Sequence, residues 1–107
     1  MAGCDPTGFG GILAGFGDQR ELELLVEAGF TPVEAIHIYA ENGAKWLGED
    51  AGVGTIAVGK AADIVVIDGN PADKISDIEK VEIVFKDGVG YDPVKLRASV
   101  QGLAGIR

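Results

Sequence analysis

Hydrophobic positions along this chain follow one period up to about Gly52 and another after it. In the first part they recur at helical spacing. Leu22, Leu25 and Val26 form a stripe that ends at Gly29, and Asp18 and Glu21 stand at the spacing of a capping box ahead of it. A second helix is predicted from Thr31-Pro32-Val33-Glu34, which combines an N-cap residue, a proline at the first helical position and a glutamate at the third. Val33, Ile36, Ala40, Gly43, Ala44 and Leu47 share one face of it, and Gly48 is its stop. Tyr39 and Trp46 widen the apolar arc and read as core residues of a helix packed on more than one side.

After Gly52 the pattern turns to strands. Thr55-Ile56-Ala57-Val58 predicts a short strand followed by a Gly59-Lys60 turn. Ile64-Val65-Val66-Ile67 is an unbroken β-branched run, as in a strand buried on both faces or in a sandwich core. Gly69-Asn70-Pro71 ends it, Ile75 to Ile78 predicts a helical turn, and Val81 to Phe85 alternates as a strand. Asp87-Gly88 is a type I′ hairpin signal before Val89 and Tyr91, and the tail from Pro93 to Val100 is weakly helical. Helices precede strands as a block, so two structural units share a short chain, and each reads as incomplete. Ahead of both, residues 3–17 hold six glycines and read as an irregular loop that needs something to pack on.

At 107 residues the chain has room for one small domain. Its net charge of -8, from 17 acidic and 9 basic residues, disfavours nucleic acid and anionic membrane surfaces as partners. No apolar run approaches the length of a membrane span, and no signal peptide is visible at Met1 to Asp5, so a cytoplasmic location is the default expectation. One cysteine excludes an intrachain disulfide, and one histidine cannot build a Cys/His zinc site.

Several residues invite a chemical reading. Gly54, Gly59 and Lys60 have phosphate-loop spacing, but Ala61 stands where a magnesium-binding hydroxyl belongs and a strand rather than a helix follows, so no nucleotide site is expected. Cys4 has no basic neighbour in sequence to activate it and reads as a small packed residue. His37, with Glu34 and Glu41 at helical spacing, reads as part of a solvated charged face.

The motif Gly54-Thr55-Ile56-Ala57-Val58-Gly59-Lys60-Ala61-Ala62-Asp63-Ile64-Val65-Val66-Ile67-Asp68 is similar to the strand pair by which the amidohydrolase superfamily re-enters its small β-domain. Gly3-Cys4-Asp5-Pro6-Thr7 resembles the segment ending that superfamily's last barrel strand, usually Gly-Thr-Asp or Gly-Ser-Asp. Residues 25–44 look like its final barrel helices, and Val84-Phe85-Lys86-Asp87-Gly88 like the closing hairpin. The likeness runs from Gly3 to about Leu96 and points to imidazolonepropionase-like and dipeptidase-like members.

The resemblance implies an α/β fold, namely the C-terminal part of a (β/α)8 TIM barrel followed by strands of a small β-sandwich. Residues 1–51 would be the end of the barrel, 52–91 strands of the composite β-domain, and 92–107 a tail. It also implies a divalent metal, zinc above all, in an intact enzyme that hydrolyses amide, cyclic amide or dipeptide C–N bonds of a small-molecule or dipeptide-like substrate by a metal-activated water. Asp5 is the position matching the family's metal ligand and general acid/base. The family's His-x-His pair, its bridging lysine or glutamate and its later histidines have no counterpart, so the chain alone is expected to be inactive. Gly10, Gly11, Gly15 and Gly17 would line a substrate pocket only beside the rest of a barrel. The alternative is a non-enzymatic binding module, with a homo-oligomer covering the exposed edges.

Overall fold

A computed structural model describes residues 2–4, 12 and 15–102. Three helices come first: α1 (Phe16–Glu27), α2 (Pro32–Tyr39) and α3 (Glu41–Leu47). They are followed by strand β1 (Ile64–Ile67), a 3-10 turn (Ile75–Glu79), strands β2 (Val81–Lys86) and β3 (Val89–Tyr91), and helix α4 (Pro93–Ser99). The fold is mixed α/β, with one three-stranded antiparallel sheet in the order β1-β2-β3. None of the described helices is long and apolar enough to cross a membrane.

Helix α2 begins as its sequence requires. Thr31 Oγ1 accepts from the Glu34 amide at 3.3 Å while Glu34 Oε2 accepts from the Thr31 amide at 2.8 Å, a reciprocal capping box with Pro32 in the first turn. The expected single helix to Gly48 is instead two, joined at Ala40 (φ -89°, ψ -71°). The weak helix formers Asn42 and Gly43 follow that joint, so propensity does little to hold the axis straight there. Gly48 ends α3 in the left-handed conformation, as its position predicts.

Helix α1 corrects a second expectation. It starts at Phe16, with Gly15 at the N-cap and no side-chain cap, so Asp18 and Glu21 lie inside the first turns and do not form a capping box. Their carboxylates turn elsewhere, as described below.

Strands β1 and β2 pair from Ile64↔Phe85 to Ile67↔Val81, with a register irregularity between Val66 and Ile67. The β2–β3 hairpin closes through Asp87 (φ 51°) and Gly88 (φ 80°), the two positive φ angles of a type I′ turn. Asp63 staples this turn to the start of β1: its carboxylate accepts from the Asp87 amide at 2.8 Å and pairs with Lys86 Nζ at 2.9 Å. Helix α4 forms where the tail was read as weakly helical, because Asp92 Oδ1 caps the Val94 amide at 2.8 Å and Pro93 occupies the first turn.

The stretch Thr55-Ile56-Ala57-Val58 is not a strand. The Lys60 ammonium donates to Asp50 O at 2.6 Å, Val53 O at 3.3 Å and Thr55 Oγ1 at 2.6 Å, curling the chain into consecutive turns. No described strand lies alongside to accept a ladder, and Ile56 and Val58 stand in solvent. Strand β1 is likewise not buried on both faces: Val65 is 52% exposed.

The interior is thin. Among the described residues the buried apolar side chains are Leu22, Ala35, Ala44 and Pro93, and none of the large ones is fully buried. Ala35, outside the predicted α2 stripe, is completely buried, whereas Val33, Leu47 and the expected core residue Trp46 are exposed. Of the helical face read from the sequence, Ala44 is buried and Ile36 half-buried, whereas its two ends at Val33 and Leu47 stand in solvent. The radius of gyration, 14.6 Å, exceeds the value of about 13 Å usual for a domain of this length.

Helices and sheet meet where α1 packs on the 3-10 turn, with Gln19 Nε2 donating to Ile78 O at 3.4 Å. That turn is built on Asp77, a nearly buried carboxylate whose Oδ2 accepts from the Asn70 amide at 3.0 Å. Its Oδ1 lies 2.9 Å from Lys80 Nζ.

Replacing Thr31 with alanine removes one half of the capping box and is expected to cost about 1 kcal/mol, read as a lower urea midpoint at unchanged m-value. An unaltered midpoint refutes the cap. Lys80 and the Asn70 amide hold the Asp77 carboxyl below its usual 3.8. The Asp87 amide and Lys86 do the same for Asp63. A depressed native pKa contributes stability in full above the unfolded-state value and loses it as pH falls through the native one, so Tm drops on acidification from about pH 5 to about pH 2. The double variant Asp63→Asn, Asp77→Asn flattens that acid limb, and an unchanged acid limb would exclude these two groups as its cause.

Candidate functional site

The segment matching the superfamily's metal-ligand motif is placed up to its second residue. Gly3 and Cys4 are described, whereas Asp5, and with it Gly10 and Gly11, lies outside the described residues. Around Cys4 the structure gathers three side chains that sequence reading assigned to other tasks. The Cys4 thiol donates to Asp18 Oδ1 at 3.1 Å, with Glu21 Oε2 further off at 3.7 Å. The Tyr39 hydroxyl, at the end of α2, reaches the same two oxygens at 2.8 and 3.2 Å. The Gly3 amide donates to Glu21 Oε1 at 3.3 Å. Asp18 and Glu21 can face the same neighbours because they sit three residues apart on α1, one helical turn.

The electrostatics of this cluster keep its donors protonated. The Asp18 carboxylate accepting from the thiol, with desolvation adding to it, pushes Cys4 up to about 11. Desolvation and the same carboxylate push the Tyr39 phenol up from its ordinary value. The thiol and phenol hydrogen bonds in turn hold Asp18 below the ordinary aspartate value. Cys4 is therefore a thiol donor near neutral pH and a poor nucleophile, and its reading as a packed, unactivated residue stands with a hydrogen bond added. An open groove of about 440 Å³ adjoins it, walled by Ile12, Phe16 and Leu24, with Gly17 against its floor.

Other candidates fall apart from this cluster. His37 Nδ1 lies 3.0 Å from Glu41, on the half-exposed charged face its spacing predicted. Lys60 spends its ammonium on the three oxygens of its own loop. Among the described residues no three His, Cys, Asp or Glu side chains converge to hold a metal ion, so these residues do not by themselves fit a hydrolytic metal centre. Sequence reading missed Tyr39 as a polar partner. The available signal was a phenol, which needs a hydrogen-bond partner when half-buried, inside an otherwise aliphatic arc.

Comparison with known proteins gives this geometry a family. No curated protein sequence matches the chain. The sequence profile described as "Amidohydrolase family" matches residues 10–90, more than half of it. Among solved structures, a Xaa-Pro dipeptidase with bound methionine in its active site is 36% identical, with a TM-score of 0.68 over 71% of this chain and 19% of its own. A putative prolidase from Bifidobacterium longum is 43% identical, with a TM-score of 0.65 over 68% of this chain and 18% of its own. Molinate hydrolase superposes with a TM-score of 0.70 at 28% identity, over 84% of this chain and 18% of its own. The chain thus spans about a fifth of the length of the structures it matches. On the extent of the profile match and the agreement of fold with these enzymes, the chain belongs to the amidohydrolase family.

Proposed function

We propose that this chain is the C-terminal portion of a hydrolase that cleaves C–N bonds in dipeptide-type substrates, and that it does not catalyse alone. The observation that carries the reading is the shared fold and 36% and 43% identity with a Xaa-Pro dipeptidase and a putative prolidase. The likeness of Gly3-Cys4-Asp5 to the end of the superfamily's last barrel strand supports it independently. In this reading Asp5 is the residue the chain contributes to catalysis, as a ligand to a divalent metal, zinc by resemblance, whose remaining ligands lie in the rest of a TIM barrel. The groove beside Cys4 and the exposed face of α3 would then be surfaces that the rest of the barrel covers.

A second reading, a non-enzymatic module that self-associates, draws on the exposure of Trp46 (70%), Leu47 (66%) and Ile56 (84%). Sedimentation separates the two: a discrete oligomer that unfolds cooperatively favours the module.

In the full-length hydrolase, Asp5→Asn is expected to lower kcat/KM on an Xaa-Pro dipeptide by about 10²- to 10⁴-fold, the range for loss of a general acid/base. The 107-residue chain assayed alone is expected to give no turnover. Wild-type turnover in the Asp5→Asn enzyme, or turnover by the short chain, would overturn the proposal.

A further inference from the structure

Asn42 and Gly43 form an adjacent pair in the first turn of α3, just past the joint at Ala40. An asparagine followed by glycine has a reaction of its own. The glycine amide nitrogen, once deprotonated, attacks the asparagine Cγ and closes a five-membered imide, and glycine lacks the Cβ that hinders this attack at other residues. A helix ordinarily suppresses the reaction. It bonds that amide to the carbonyl four residues back and holds the asparagine backbone away from the attacking geometry.

Three observations remove that protection here. The first intrahelical bond of α3 runs from the Ala44 amide to Ala40 O at 3.1 Å. Gly43 stands one residue ahead of that donor, among the opening amides that a helix leaves without an internal partner, and no side chain caps this end. The helix is also short. Its seven residues fall well below the roughly 12 at which an isolated helix becomes even marginal in water, and both members of the pair are weak helix formers. Finally, the pair has room. The Gly54 turn closes on Ala40, Glu41 and Ala44, whereas a Cβ at Gly43 would meet no atom within 4 Å beyond its own helix backbone. Asn42 itself is half-exposed, so water reaches it.

We propose that Asn42-Gly43 is a self-modification site, at which this chain converts its own residue 42 to aspartate or to β-linked isoaspartate. A bond forms from the Gly43 nitrogen to Asn42 Cγ, and the bond from Cγ to Nδ2 breaks. Nδ2 leaves as ammonia, carrying the proton that the Gly43 amide gave up. Water then opens the imide. Attack at the former side-chain carbonyl gives aspartate, and attack at the former main-chain carbonyl gives isoaspartate. Water is the sole co-reactant. Isoaspartate routes the main chain through Cβ, so the extra bond puts Ala44 and the residues after it out of phase with α2.

The test follows the peptide carrying residue 42 by mass spectrometry while the folded 107-residue chain stands at mildly alkaline pH. The amide form is expected to give way to the two acid forms at a rate within about tenfold of that in urea, a barrier difference under about 1.4 kcal/mol. Gly43→Ala has space for its methyl group and is expected to react roughly tenfold more slowly or less, because the Cβ crowds the attack and alanine stiffens the turn. Should that variant fail to fold, Asn42→Gln reads the same step, since its longer side chain closes the larger ring slowly. Asn70 is the internal control. Pro71 follows it and has no amide proton to lose, so Asn70 should keep its amide throughout. A folded chain that keeps the Asn42 amide while the urea-unfolded chain loses it shows that α3 protects the pair, and overturns the proposal. Equal loss at Asn70 overturns it as well, and so does a wild-type rate in Gly43→Ala.

Discussion

Helix α1 is the element against which the others are placed. Leu22, one of the few buried apolar side chains, belongs to it, and α2 packs across it. Gln19 on α1 reaches the 3-10 turn that adjoins the sheet, while Asp18 and Glu21 draw in the segment ahead of the helix. Apolar burial on one side and polar capture on another are thus carried by the same three turns of helix. The contribution of burial is small, because the side chains involved are few and two of them are alanines. Much of the order in this chain therefore comes from local hydrogen bonding: the capping box of α2, the Asp63 staple, the Lys60 loop clamp and the Asp77 turn.

Elements whose cause is local were legible in the sequence. Thr31 through Glu34 specified a cap, Gly48 a left-handed stop, and Asp87-Gly88 a primed turn, and each needs nothing beyond its immediate neighbours. Elements whose cause is a partner were not. Thr55 to Val58 has the composition of a strand, but a strand exists only by pairing, and Lys60 claims the nearby oxygens. Trp46 has the composition of core, but core requires a surface to close on it.

The candidate site divides along the same line. Cys4 and Asp5 drew attention through their place in a family motif, whereas Asp18, Glu21 and Tyr39 were hidden by plausible structural duties as cap and core. A capping-box spacing does not require a capping box. Because α1 begins three residues earlier than that spacing implies, both carboxylates are left free to serve a tertiary contact. A shift of three residues at a helix start is less than one turn, yet here it changes what two side chains do.

The exposure of Trp46 has an optical consequence. The chain holds one tryptophan, and its indole stands 70% in water on α3, beside an equally bare Leu47. Tryptophan fluorescence of the protein therefore comes from a single, wet indole on a face left bare by the described residues. Any protein surface that closes over that face shifts the emission to shorter wavelength without a label being added, so the chain carries its own spectroscopic gauge of assembly.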